Sequence, residues 1–98
     1  MFKVKSPTKK LKEICSKLGP DYSIKVIDAE QVIYRKINDN YELEVSGLNN
    51  SRKKMKAVIY LWQLKPGKVN LEVIENVTTF EFLESSLTSL VEKYRNSN

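Results

Sequence analysis

The first clear pattern in the chain is a helical repeat of apolar residues near its start. Leu11, Ile14, Cys15 and Leu18 recur at intervals of three and four residues, which places them on one stripe of a helix. The intervening positions are polar and include Lys12 and Lys17. The spacing therefore predicts an amphipathic helix with one buried face.

The residues that flank this stripe predict where the helix begins and ends. Ser6 can accept the capping hydrogen bond, and Pro7 has the fixed φ that suits the first helical position. Gly19 followed by Pro20 supplies a left-handed C-terminal residue and a helix breaker. We predict a helix over about residues 7–18.

Three later segments alternate apolar and polar residues with a period of two, which is typical of strands with one face in water. Asp, Asn or Gly residues separate them, so the strands should be short and antiparallel. The segments are 22–26, 31–37 and 41–45.

Residues 55–64 show a different pattern because the residues from Ala57 to Trp62 are apolar in succession. Such a run is typical of a strand covered on both faces or facing a partner, and we expect it in the middle of the sheet. In the turn that follows, Pro66 presets φ and Gly67 should take a positive φ. Residues 69–73 then return as the second strand of a hairpin.

A second amphipathic pattern closes the chain and predicts a helix over about residues 79–95. Thr78 followed by Glu81 fits a capping box at its start. Polar residues occupy the outward positions, and one apolar stripe faces inward. The stripe consists of Phe80, Leu83, Leu87, Leu90, Val91 and Tyr94.

The order of these elements predicts the fold class. A helix, four or five antiparallel strands and a second helix indicate an α+β domain with two layers, in which both helices pack on one face of a curved sheet. A chain of 98 residues forms a single domain, residues 1–98, with a modest core. Residues from Phe2 to Lys5 could add a short edge strand before the first helix, and the sequence favours neither outcome.

The residue inventory leaves few routes to catalysis. The chain has no His, one Cys and three Gly residues, and the glycines stand in separate turns. This excludes a catalytic triad, a His/Cys metal cluster, a histidine general base and a glycine-rich phosphate loop. Glu42 and Glu44 share one face of a predicted strand, which favours a solvated strand face over an acid pair. We expect no enzymatic activity, no cofactor and no metal site.

Cysteine usage and hydropathy bear on the compartment. A single Cys forbids an internal disulfide, and the position of Cys15 on the apolar stripe favours a buried structural thiol. The chain has no apolar run of about 18 residues that would suit a membrane span. Lysines interrupt the segment from Met1 to Lys10 too often for a secretory signal. We expect an intracellular protein.

Charge is distributed unevenly along the chain. Residues 1–68 carry 15 of the 17 Lys and Arg residues and 7 of the 12 acidic residues, a net charge of +8, whereas residues 69–98 carry −3. The basic residues concentrate at and before the first helix and again in the loop before the apolar run that begins at Ala57. These two groups consist of Lys3, Lys5, Lys9, Lys10 and Lys12, and of Arg52, Lys53, Lys54 and Lys56.

Basic groups of this kind suit phosphates on a membrane surface, a nucleic acid or an acidic protein face. The alternative is that the lysines only keep a small domain soluble. Nucleic acid is the least expected partner, because the candidate stacking residues Tyr60 and Trp62 are predicted to pack against the sheet. We expect no direct nucleic-acid binding.

Four segments carry a further signal through their order and spacing. They are the helix Leu11–Gly19, the apolar strand Ala57–Trp62, the strand Val69–Val73 and the helix start Phe80–Phe82. Together they resemble the kinase-associated domain 1, a module that closes the C-terminus of several families of Ser/Thr protein kinases. The resemblance spans about residues 2–95.

Within that family, the first helix is most similar to that of the checkpoint effector kinases of the DNA-damage response. Phe2, Lys3 and Val4 lie where those kinases carry a short basic and aromatic motif, which adds Phe2 and Val4 to the candidate partner-binding residues. Residues 74–79 depart from the family because they lack a basic group and a Gly-Asp turn. Anion binding is therefore expected only at the N-terminal lysines and at residues 52–56.

The resemblance implies a regulatory role in the nucleus and cytoplasm. The domain would bind the kinase catalytic domain of the same polypeptide and hold it inactive, and we expect a monomer. A peripheral-membrane module that binds anionic phospholipid through the same lysines is the first alternative. The second is a small phage-type protein that inhibits a host factor, which the Lys-, Asn- and Ile-rich composition permits.

Overall fold

A computed structural model describes residues 5–96 and shows, within that range, two helices and five strands. The suggested edge strand from Phe2 to Lys5 falls largely outside the described residues. The elements are α1 (Lys9–Leu18), β1 (Ser23–Ile27), β2 (Glu30–Lys36), β3 (Tyr41–Ser46), β4 (Ala57–Gln63), β5 (Val69–Val77) and α2 (Phe80–Tyr94).

The strands form one antiparallel sheet in which the spatial order is the chain order, β1-β2-β3-β4-β5. This confirms the predicted α+β class with five strands. The prediction that residues 55–64 form the middle strand is wrong, because β3 has that place. β4 lies next to the edge strand β5 and is hydrogen-bonded on both sides.

One face of the sheet forms the core together with both helices, as predicted. Ile33, Val45 and Ile59 stand opposite one another on β2, β3 and β4, and all three are buried. They pack in one cluster with Leu11 of α1 and Leu83 of α2. Burial of each such side chain contributes about 1.5–3 kcal/mol.

We call the opposite side of the sheet the open face. Tyr34, Glu44, Tyr60 and Val73 are cross-strand neighbours on this face of β2 to β5, and Trp62 follows Tyr60 on it. The apolar run in β4 therefore combines core residues with aromatic residues of the open face. This explains why a continuous apolar run did not mark the middle strand.

The first helix begins two residues later than predicted. The side-chain oxygen of Thr8 accepts a hydrogen bond from the backbone N–H of Leu11 at 3.1 Å. Thr8 is therefore the N-cap instead of Ser6, and Pro7 precedes the cap. At the other end Gly19 has the predicted positive φ, 109°, but its ψ of 179° is extended, so it does not adopt the αL conformation of a left-handed cap.

The apolar stripe of α1 packs as predicted. Leu11, Ile14 and Cys15 are buried, and Leu18 is half-buried against the same core. Burial raises the pKa of the Cys15 thiol. Cys15 is thus a packing residue whose reactive thiolate form is suppressed.

The second helix also has a displaced cap. The Thr79 hydroxyl oxygen accepts from the backbone N–H of Phe82 at 3.1 Å, so Thr79 is the N-cap and the prediction of Thr78 is wrong by one residue. Glu81 then falls at the second helical position and forms no capping box. The predicted stripe is confirmed, and its buried members are Leu83, Leu87, Leu90 and Val91.

Two turns use different backbone conformations. Asp28 and Ala29 join β1 to β2 with φ values of 51° and 63°, the pattern of a type I′ hairpin turn. Between β4 and β5 the Lys65–Pro66 peptide bond is cis, and the φ of Gly67 lies outside the left-handed region. The prediction of a positive φ at Gly67 is therefore wrong.

Candidate functional site: a basic surface beside the first helix

The two basic groups predicted from the sequence are neighbours in the fold. The Lys10 ammonium donates hydrogen bonds to the side-chain oxygen of Asn50 at 3.1 Å and to the carbonyl oxygen of Arg52 at 3.0 Å. These contacts join the first turn of α1 to the loop between β3 and β4. The fold thus brings together two lysine-rich segments that lie about forty residues apart in sequence.

A second pair of hydrogen bonds holds the segment that precedes α1. The backbone N–H of Thr8 donates to Asn49 Oδ1 at 2.8 Å, and Asn49 Nδ2 donates to the carbonyl oxygen of Ser6 at 3.3 Å. The amide of Asn49 therefore bridges two points of the lead-in. Because both of its polar ends are used, the loop and the helix start have one relative orientation.

The loop is also shaped by its own contacts. Asn50 Nδ2 donates to the carbonyl oxygen of Gly47 at 2.9 Å, and the backbone N–H of Gly47 donates to Glu30 Oε2 at 2.8 Å. Gly47 has a φ of 84°, and a Cβ there would lie 2.7 Å from the carbonyl oxygen of Lys56. Only glycine meets both demands without strain.

We call the resulting patch the basic surface. Its side chains are exposed, except for Lys10, which is half-buried by its contacts with the loop. Among residues 5–96, none of the recorded ion pairs involves a member of this patch. Its positive charge is therefore available to an external anion. The members are Lys9 and Lys10 of α1 with Arg52, Lys53, Lys54 and Lys56 of the loop, whereas the predicted residue Lys12 lies on the side of α1 that faces β1, beside Tyr22 and Ile24.

The remaining predicted residues are not shown to join this surface. Phe2, Lys3 and Val4 lie outside the described residues. Lys5 is exposed, and its carbonyl oxygen accepts a hydrogen bond from Gln31 Nε2 at 3.1 Å. This contact places the backbone of Lys5 beside the start of β2.

The basic surface can attract anions by charge. Each basic residue near an anionic membrane surface contributes about 1 kcal/mol, and the field decays over a Debye length of about 8 Å at physiological ionic strength. A flexible set of ammonium groups suits a broad acidic surface better than one small anion, since lysines act as separate point charges. The patch is suited to binding an extended anionic partner.

The chemistry of the open face was not predicted from the sequence. We expected Tyr60 and Trp62 to pack against the sheet. Both are instead half-exposed on the open face, and their rings are stacked with centroids 6.2 Å apart. Glu42 and Glu44 were expected to be solvated, but Glu42 is only 8% exposed. Glu44 Oε1 accepts a hydrogen bond from Trp62 Nε1 at 3.1 Å. Alternation along β3 and β4 was the available signal, because it assigns all four residues to one face.

Comparisons with known proteins identify no relative of this chain. No family model matches it, and neither the curated proteins nor the solved structures include a significant match. Within residues 5–96, neither helix has the length and apolar character needed to cross a membrane.

Proposed function

We propose that this chain is a non-catalytic regulatory domain that binds an acidic face of a protein through the basic surface. In its most specific form, the proposal makes it the C-terminal autoinhibitory domain of a checkpoint-type Ser/Thr protein kinase, bound to the catalytic domain of its own polypeptide. The observation that carries the proposal is the union of two basic segments into one patch by Lys10, Asn49 and Asn50. The resemblance of Leu11–Gly19 to the checkpoint kinases supplies the kinase part.

Autoinhibition by a tethered domain makes modest demands on this surface. A tether gives an effective concentration of order mM, so a weak electrostatic interface is enough to keep a kinase closed. A weak interface also opens readily when phosphorylation adds negative charge and changes the balance of states. The exposed lysines of the basic surface meet these requirements.

The decisive test uses charge reversal in the kinase that carries this domain. Lys9→Glu with Lys53→Glu removes charge from the basic surface and leaves Lys10, which holds the loop, in place. Basal kinase activity should rise several-fold. The matched control, Lys36→Glu with Lys65→Glu, makes the same charge change outside the basic surface and should leave activity near the wild-type value.

Equal activity of the two double variants and the wild type would contradict the kinase proposal. A reading frame without a kinase catalytic domain would do so as well. Circular dichroism of each variant checks that the fold is intact.

Anionic phospholipid is the second candidate partner, because the basic surface lacks ion pairs within residues 5–96. Cosedimentation with phosphatidylcholine vesicles, with and without phosphatidylserine, separates the candidates. Binding that needs phosphatidylserine, weakens with added salt and is lost in Lys9→Glu with Lys53→Glu would favour the membrane. If the chain does not sediment with either kind of vesicle, an acidic protein face remains as the proposed partner.

A further inference from the structure

The open face contains a cleft of about 470 Å³ between the β1–β2 turn and β4. Its lining differs in character from the rest of this basic chain, whose net charge is +5. Three carboxylates, two aromatic rings and one ammonium group line it. They belong to Asp28, Glu30, Glu44, Tyr60, Trp62 and Lys68.

The aromatic wall of the cleft is built by β4. Tyr60 and Trp62 stand two residues apart on the open face, and their ring planes are inclined by only 27°. The indole N–H of Trp62 is held by Glu44 Oε1, which fixes the ring orientation. A wall of nearly parallel rings offers negative π faces to a cation.

The carboxylates face this wall from β2, β3 and the turn between β1 and β2. Glu44 is partly withdrawn from water, and this burial raises the pKa of its carboxyl group. Glu30 uses one oxygen to hold the backbone of Gly47. Three acids against Lys68 leave the cleft with a net negative charge. A cation bound there would offset the free energy that the carboxylates lose when they are withdrawn from water.

Lys68 places an ammonium group of the chain itself beside the aromatic wall of the cleft. Lys68 Nζ lies 4.8 Å from the centroid of the Trp62 ring and 3.7 Å from Glu42 Oε1. Its side chain is nevertheless half exposed, so it covers the rim and does not fill the cleft. Trp62 thus already faces one cation, whose carboxylate partner Glu42 lies outside the lining of the cleft, and the cleft carboxylates Asp28, Glu30 and Glu44 are not paired with it.

We propose that this cleft binds the arginine side chain of a basic peptide segment on a partner. A planar guanidinium stacks on tryptophan and tyrosine faces and forms bidentate hydrogen bonds with carboxylates, and both groups are present. Val73, exposed on the open face beside Tyr60, offers an apolar contact for the neighbouring peptide residue. Within residues 5–96 no group of three or more acidic or cysteine side chains is placed to hold a metal ion.

The site is independent of the basic surface in its residues, so the test does not depend on the proposed function. The probe is the peptide acetyl-Gly-Arg-Val-amide, titrated into the isotopically labelled chain. Saturable NMR shifts are expected at the indole N–H of Trp62, the only tryptophan of the chain, and at the amides of Glu44 and Tyr60. The matched peptide with citrulline, which has the same shape without the charge, should produce no saturable shift.

Variants then locate the binding. Glu44→Gln keeps an acceptor for Trp62 and should weaken the arginine peptide about tenfold, as loss of one charge-assisted hydrogen bond predicts. Glu75→Gln, the same change on the exposed part of β5, should leave the affinity unchanged. Lys9→Glu with Lys53→Glu should also leave it unchanged.

Four results would overturn the proposal. They are equal binding of the citrulline peptide, equal binding by Glu44→Gln, equal affinity for a lysine peptide, and concentration-dependent shifts of Trp62 without peptide. The third assigns the cleft to cations in general, and the last assigns it to a second copy of the chain.

Discussion

The backbone N–H of Thr8 and the side-chain oxygen of Asn49 are joined by a hydrogen bond of 2.8 Å across 41 positions of sequence. Through it, Thr8, which caps α1, also docks the loop that carries four residues of the basic surface. The shape of the helix start and the shape of the loop are therefore coupled.

This coupling predicts the effect of Asn49→Ala. The substitution removes the hydrogen bonds to Thr8 and Ser6 and should lower the free energy of unfolding by about 1–2 kcal/mol. Urea denaturation measures the loss, and hydrogen exchange at the Thr8 amide should accelerate. Asn96→Ala, an exposed position after α2, is the control and should leave stability unchanged. A stable variant with a protected Thr8 amide would show that the bridge is not needed.

Gly47 should tolerate no side chain, in contrast to Gly67. Gly47→Ala places a Cβ against the Lys56 carbonyl at a φ of 84° and should destabilise the fold by about 2 kcal/mol, with loss of loop order. Gly67→Ala meets no atom within 4 Å and should be neutral or slightly stabilising. Thermal unfolding compares the two variants. A similar melting temperature for both would contradict the proposed role of Gly47.

The cap of α2 can be tested with two adjacent threonines. Thr79→Ala removes the acceptor for the Phe82 N–H and should cost about 1 kcal/mol of stability. Thr78→Ala changes the same chemistry one residue earlier and should cost little. Chemical denaturation of both variants distinguishes the two positions, and a larger loss at Thr78 would reverse the assignment.

The link between β5 and α2 predicts a dependence on pH. The Tyr94 hydroxyl, and then the Lys93 ammonium, donate hydrogen bonds to Glu72 and hold the pKa of its carboxyl group below the ordinary value near 4.5. The folded state therefore releases this proton more readily than the unfolded chain does. The resulting stability is complete above about pH 4.5 and is lost as pH falls through the lower, folded pKa.

Glu72→Gln removes this titration. At pH 7 the variant should be less stable than the wild type by about 1 kcal/mol, and the difference should shrink on acidification. Glu75→Gln, on the same strand, serves as the matched control and should show no such convergence. Urea midpoints measured from pH 7 to pH 3 give the comparison. A difference that stays constant over this range would exclude Glu72 as the cause.

Local periodicity was enough to predict the elements, because the stripe from Leu83 to Val91 depends on burial along a single helix. The choice of N-cap for α2 could not be predicted, because Thr78 and Thr79 have the same capping chemistry. In the structure, Thr79 is the N-cap. The bridge made by Asn49 was also hidden, because it is a tertiary contact of an ordinary polar residue. The sheet position of β4 was misjudged because aromatic residues of the open face resembled a second buried face.

The single thiol of the chain gives access to the mobility of α1. Cys15 lies on the inner side of α1, is 9% exposed and lines a shallow groove beside Pro20 and Ile24, and burial raises the pKa of its thiol. Alkylation of the folded chain should therefore be slow and should accelerate when α1 lifts away. An alkylation rate above this slow background therefore reports opening of α1, and with it of the basic surface. A partner that grips both α1 and the loop should slow this reaction, whereas a ligand in the cleft beyond the sheet should not.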